Sequence, residues 1–165
     1  HRGFNLASSR ITISTVGILP KINQFIEERQ SYKLAISLNA SNNETRTQIM
    51  PVNKKWSLKD LIKAGEKYSM LKKRIVMFEY VLLKGINDSE DDAHKLANLL
   101  QGIPCKLNII PYNVTNGLYM RPSEQAISRF SEILHNHRNK YRVLVRWSKG
   151  QDIGAGCGQL AIQDT

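Results

Sequence analysis

The sequence predicts an α/β fold built on a parallel sheet, and three observations predict it. Short apolar or β-branched runs alternate with segments of helical spacing along the chain, one run at 74–83 is apolar on both alternating faces, and the three long irregular stretches each follow a strand. The first strand, Arg10-Ile-Thr-Ile-Ser14, ends in the turn Thr15-Val-Gly17. A helix follows from Pro20, where proline suits the first turn. Residues 33–38 form the second strand, and 57–71 a helix with Ser57 as N-cap. The run 74–83 reads as a strand buried from two sides, 89–100 as a helix, and 105–110 as the fourth strand. A helix at 123–135 and a strand at 141–146 complete the order βαβαβαβαβ. Such alternation demands right-handed crossovers and a helix-covered parallel sheet, either open and doubly wound or part of a barrel; periodicity does not choose. Ligands of parallel α/β folds sit at the C-terminal ends of strands, which singles out Ser14-Thr15 and the stretches 39–56, 113–121 and 148–165.

A chain of 165 residues with 41% hydrophobic residues is long enough for one domain with a true core. Lys and Arg number 24 against 14 Asp and Glu, a formal charge of +10 with a pI near 9.8, so polyanions are favoured: nucleic acid first, an acidic membrane surface second. No apolar run approaches the roughly 18 residues of a membrane span, and the start His1-Arg2-Gly3-Phe4-Asn5 lacks signal-peptide order, so a soluble, unsecreted protein is expected. Two cysteines, Cys105 and Cys157, without CxxC spacing exclude a disulfide framework and any metal site of cysteine alone, and suit a reducing compartment. The Asn-x-Ser/Thr sequons at Asn39, Asn43, Asn87 and Asn113 are attributed to composition. Because the chain begins at His1 rather than Met, further sequence is expected before it.

Gly154-Ala-Gly156-Cys157-Gly158 is the densest local signal, since three glycines leave the sulfur unencumbered and let backbone approach a ligand. It matches no phosphate loop, and stands between a flexible tail and a nucleophilic or radical-chemistry cysteine. The acids of Asp88-Ser-Glu-Asp-Asp92 suit a helix first turn better than a metal site. His135 and His137, beside Arg138 and Lys140, suit solvent or an anion. Glu79, between Phe78 and Tyr80 in a strand, needs a partner or a solvated cavity, and structural pairing and a site role both stand. Asn53-Lys54-Lys55-Trp56 offers cations beside an aromatic, a surface for phosphate or base contacts.

In order, Ile11-Thr-Ile-Ser-Thr-Val-Gly17, Leu34-Ala-Ile-Ser-Leu-Asn39, Arg46-x-x-Ile49-x-Pro51-x-Asn53-Lys-Lys55, Glu79-Tyr-Val-Leu82, Cys105-Lys-Leu-Asn-Ile-Ile-Pro-Tyr-Asn113 and Cys157-Gly-Gln-Leu-Ala161 closely resemble one family. It is the radical S-adenosylmethionine adenine-C2 RNA methyltransferases of RlmN type. The resemblance implies a partial radical-SAM (β/α)6 barrel comprising the later strands, residues 1–147, followed by a C-terminal Gly-rich segment, 148–165, that carries the methyl-accepting cysteine. Matched residue by residue, it implies S-adenosylmethionine binding at Ser14, Ser37, Leu38, Asn39 and Asn113, and an S-methylcysteine intermediate at Cys157. In the family's chemistry one S-adenosylmethionine methylates the cysteine. A second is cleaved at a [4Fe-4S] cluster to a radical that activates the new methyl group for attack on adenine C2, the cofactor carrying the hard step.

The resemblance departs at two places. Asn39 stands where the family usually has histidine, keeping a donor and an acceptor but losing the ring. The CxxxCxxC cluster motif, the resolving cysteine and the N-terminal RNA-binding region would precede His1, so no metal ligands are expected in this chain, and the missing N-terminal half is an expected partner. The implied activity is methylation of 23S rRNA, with tRNA as a second substrate, in the cytoplasm or an organellar matrix or stroma, without membrane attachment. The isolated chain is expected to be inactive. The alternative is a non-catalytic RNA- or nucleoside-binding fragment or pseudoenzyme.

Overall fold

The computed structural model describes residues 6–71, 74–113, 118–137 and 141–147. Five parallel strands, β1 (Thr12–Thr15), β2 (Lys33–Ser37), β3 (Val76–Leu82), β4 (Cys105–Pro111) and β5 (Arg142–Val145), pair in sequential order β1-β2-β3-β4-β5. Between them run α1 (Leu19–Glu27), α2 (Asn43–Ile49), α3 (Leu58–Ser69), α4 (Glu90–Leu99) and α5 (Glu124–Asn136). Each expected strand is present, with ends within two residues of those read from the sequence.

The helices start where local chemistry dictates. Pro20 sits in the first turn of α1. The Ser57 side chain accepts from Asp60 N while Asp60 reaches back to Ser57 N, a capping box for α3. Ser89 and Ser123 cap α4 and α5 by accepting from Asp92 N and Ala126 N. Their apolar stripes are buried at helical spacing: Ile22 and Ile26 on α1; Leu58, Leu61, Ile62 and Tyr68 on α3; Ala93, Leu96 and Ala97 on α4; Ile127, Phe130 and Leu134 on α5.

All of these pack into one core with Leu34, Ile36, Val76, Phe78, Tyr80, Leu82, Leu107, Ile109 and Val143, the alternate residues of a single sheet face. Sequential strand order and helices on one face only are the winding of a barrel, since a doubly wound sheet reverses its order at a switch point and covers both faces. The two alternatives left by periodicity are thereby resolved. The same asymmetry corrects the expectation that β3 is buried from both sides. Val76, Phe78, Tyr80 and Leu82 are buried, whereas Met77, Glu79 and Val81 are half-buried, because helices cover only one face.

A second difference is α2, which lies inside the stretch 39–56 expected to be irregular. It is seven residues long and polar, so it has no apolar stripe to betray it; its N-cap, Asn42, accepts from Thr45 N.

Gly65 sets the distance between α3 and the sheet. A Cβ there would lie 2.6 Å from Cζ of the fully buried Phe78 ring. Gly65→Ala should therefore destabilise the protein by about 1–3 kcal/mol, overpacking outweighing the ~1 kcal/mol that alanine gains in helix propensity. Urea unfolding of the two proteins measures the sign.

Candidate site at the carboxyl edge of the sheet

Because all five strands are parallel, their C-terminal ends share one edge. Ser14 lies near the end of β1, Ser37 closes β2 with Leu38 and Asn39 directly behind it, and Asn113 follows β4 by two residues. The structure thus brings Ser14, Ser37, Leu38, Asn39 and Asn113 to one edge. Cys157 and the whole Gly-rich segment 148–165 lie outside the described residues.

Arg46 holds this edge together. Fully buried, it donates from Nε to Leu38 O (3.0 Å), from Nη1 to Asn53 Oδ1 (3.2 Å), and from Nη2 to Val16 O (2.7 Å) and Ser37 O (3.1 Å). One guanidinium therefore ties the ends of β1 and β2 to the connection that follows β2. Burial pulls its pKa down to about 10, so it remains a cation at neutral pH. Gly17, with φ of 104°, turns the chain tightly beside it, and a Cβ there would meet Leu61 Cδ1 at 2.7 Å and Arg46 Nη2 at 3.2 Å. Asn53 is likewise interior: its Nδ2 donates to Asn43 O and Thr47 Oγ1, leaving Lys54 and Lys55 as the exposed members of that motif.

Asn39 occupies the left-handed region at φ of 56°, which asparagine tolerates better than most residues. Its Oδ1 accepts from Val81 N at 2.9 Å and its Nδ2 donates to Met50 Sδ at 3.3 Å. Its carbonyl accepts from Nδ2 of Asn87, a fully buried residue that also donates to Val81 O and accepts from Leu83 N. Tyr80 Oη donates to Asn87 O. The ends of β2 and β3 are thus locked by two asparagines, and the Leu38 backbone is also used, its N–H donating to Glu79 O. In contrast, the Ser14 hydroxyl is exposed.

Glu79 lies on the sheet face turned away from the helices, paired in register with Ser37 on β2 and Asn108 on β4. Its Oε2 accepts from Ser14 Oγ at 3.4 Å. That bond crosses β2, whose residue between them is the small Ala35, paired with Ser14 and Met77. On the same face, toward β5, Arg146 Nε donates to Asn108 Oδ1 at 3.4 Å. Nearby, Arg121 lies over the half-exposed Trp147 ring at 5.6 Å.

The remaining sequence candidates are structural. Asp88 accepts from Gly85 N, Asp92 from the Ser41 and Ser89 hydroxyls, and Asp91 pairs with Lys95, so the acidic run builds a turn and a helix start. No cluster of potential metal ligands forms among the described residues. His135 is exposed, with Nδ1 2.7 Å from Ser131 O. A concavity of about 680 Å³ between α4 and α5 is lined by Ser89, Glu90, Ser123 and Arg129 among others, on the helical side of the sheet. No helix among the described residues is long and apolar enough to cross a membrane.

Cys105 opens β4, 4% exposed, with its side chain in the helix-side core; burial pushes its thiol up to about 12. At about pH 8 it should alkylate roughly a thousandfold more slowly than an ordinary thiol, from thiolate fraction alone. Cys157 should therefore take up iodoacetamide first, which peptide mass spectrometry after short exposure measures.

Comparison with known proteins follows the same lines. No family model matches the chain. It is 46% identical over 99% of its length to a dual-specificity RNA methyltransferase RlmN of Desulfotalea psychrophila, of which it covers 45%. It is also 46% identical over 96% of its length to a dual-specificity RNA methyltransferase RlmN 2 of Myxococcus xanthus, of which it covers 42%. A radical SAM methyltransferase from Sphaerobacter thermophilus superposes with a TM-score of 0.88 at 42% identity, over 94% of this chain and 45% of that one. A domain of pyruvate-formate lyase-activating enzyme from Bacteroides vulgatus, 18% identical with a TM-score of 0.62 over 81% of this chain and 80% of its own, shares the fold. The chain spans a little under half the length of the curated relatives it matches. Over 96–99% of its length the chain is thus homologous to RlmN dual-specificity RNA methyltransferases, and it shares its fold with a radical SAM methyltransferase.

Proposed function

We propose that the chain carries the methyl-transfer part of an RlmN-type enzyme acting on adenine C2 of large-subunit ribosomal RNA, with transfer RNA as a second substrate. The observation that carries this reading is the gathering of Ser14, Ser37, Leu38, Asn39 and Asn113 at one edge of a singly wound parallel sheet. On this reading residues 1–147 are the later part of the barrel, and 148–165 bring Cys157 to its mouth. The missing remainder of the enzyme is the partner that reads RNA, in the cytoplasm or an organellar matrix or stroma.

The edge suits S-adenosylmethionine. Ser14 presents an exposed hydroxyl, Ser37 lies beside the Glu79 carboxylate, and the ends of β1 and β2 are fixed by Arg46, so the groups are held before the ligand arrives. S-adenosylmethionine bound at this edge would supply an electrophilic methyl group; Cys157 would take it on sulfur as a thioether, giving its thiol proton to solvent, while the donor departs as S-adenosylhomocysteine with the electron pair of the broken S–CH3 bond. Transfer onward to an unactivated aromatic carbon requires the family's [4Fe-4S] cluster. Two cysteines, one of them the buried Cys105, do not fit a cluster held by three thiolates, so no step through it is assigned to this chain.

A hybrid in which this chain replaces the matching segment of the Desulfotalea psychrophila relative tests the reading. Expressed in a host lacking its own such enzyme, the hybrid should restore 2-methyladenosine in ribosomal RNA. A hybrid that binds RNA and S-adenosylmethionine yet leaves adenine unmethylated would identify the chain instead as a nucleoside-binding module.

A further inference from the structure

We infer that Glu79 is a binding residue of this site, accepting hydrogen bonds from the N–H or O–H donors of an adenosine: its exocyclic amine or its ribose hydroxyls. The inference rests on the proposed function and extends it to a residue outside the set that the resemblance implies.

Three observations lead there. First, position: Glu79 sits at the middle of the central strand of the five described, on the face turned away from the helices, directly beside Ser37 and within reach of Ser14 Oγ. Second, charge: the strand positions of that face carry Lys33, Lys106 and Arg142, with Arg146 just beyond β5, and Glu79 is the one acid among them. Yet none of the ion pairs among the described residues involves it. Third, satisfaction: a half-buried carboxylate has about four lone-pair sites, and the hydrogen bond it accepts among the described residues is the long one from Ser14. A carboxylate so placed is an acceptor with spare capacity. It repels phosphate and sulfate, and it suits a neutral or cationic ligand rich in donors.

An adenosine meets that description, with two amine hydrogens and a ribose diol. Ala35 keeps the space between Ser14 and Glu79 open across β2, and the Asn108–Arg146 hydrogen bond engages the cation on the far side with an amide rather than with Glu79. Both the methyl donor and the RNA substrate contain an adenosine, so the shared chemistry has two sources that an experiment must separate.

Glu79→Gln, which keeps size but turns two acceptors into one acceptor and one donor, is made in the hybrid described above. Equilibrium dialysis measures S-adenosylmethionine, and fluorescence anisotropy measures an oligouridine containing one adenosine against the same RNA containing purine riboside, which lacks the amine. The expected result is about a tenfold loss in one arm, the size of one hydrogen bond to a charged acceptor. A loss for S-adenosylmethionine assigns Glu79 to the donor. A loss for RNA, with the preference for adenosine over purine riboside reduced, assigns it to the substrate. Affinities within twofold of wild type in both arms overturn the inference while leaving the proposed function standing. A wild-type hybrid that binds neither ligand overturns the proposed function and this inference with it. Should Glu79→Gln fail to fold, Glu79→Asp keeps the charge and withdraws the carboxylate by one methylene, and the same two measurements apply.

Discussion

Cys157→Ala in the hybrid enzyme should abolish 2-methyladenosine formation altogether while leaving RNA affinity within about twofold of wild type, because the loss is of a covalent step and not of a contact. No other thiol of this chain can stand in. Cys105, the other cysteine of the sequence, is the first residue of β4, at the opposite end of that strand from Asn113 and on the face opposite to Glu79 and Asn108. It is 4% exposed and points into the helix-side core, and burial holds its thiol at about 12. Quantifying modified adenosine by mass spectrometry of digested ribosomal RNA checks the result. Undiminished modification would show that Cys157 does not carry the methyl group.

Arg46→Met should have the largest effect on stability, about 3 kcal/mol or more, because three backbone carbonyls and the Asn53 side-chain oxygen lose their donor at once in a site closed to water. Arg46→Lys should recover only part of this, since one ammonium cannot reproduce a planar fork that reaches Val16, Ser37, Leu38 and Asn53. Urea unfolding gives the magnitudes. The damage should also reach the ligand: with the ends of β1 and β2 no longer clamped, Ser14 and Ser37 lose their fixed separation, and S-adenosylmethionine affinity should fall with stability. Full stability in Arg46→Met would mean that the carbonyls find other partners and that the clamp is not what organises the edge.

Much of this was legible in the residues, for physical reasons that can be stated. Alternating apolar runs exposed the strands, and Ser57, Ser89 and Ser123 marked helix starts because a serine oxygen accepts an otherwise orphaned N–H. The parallel direction of the strands placed the loops that follow them on one edge. What could not be read was which faces would be covered: β3 has apolar residues on both faces, yet only the face toward α3, α4 and α5 is fully buried. The seven-residue α2 was hidden by its polarity. Arg46 was visible as part of a motif, but a fully buried arginine without an acid is rare, and nothing in spacing says that its partners are carbonyls. Asn39 was read as a ligand residue from its place in the motif; the structure shows that its side chain also holds the ends of β2 and β3 together, a duty its left-handed backbone makes convenient. Glu79 was legible as an anomaly from its apolar neighbours alone, and the register with Ser37 and Asn108 gives that anomaly a location.

Whether this chain accepts the methyl group before RNA does is read by peptide mass spectrometry of the hybrid purified from cells. The expected spectrum shows one added methyl group on the peptide containing Cys157, none on the peptide containing Cys105, and loss of the added mass when the enzyme turns over unmodified RNA. An unmethylated Cys157 in a hybrid that still forms 2-methyladenosine would contradict it.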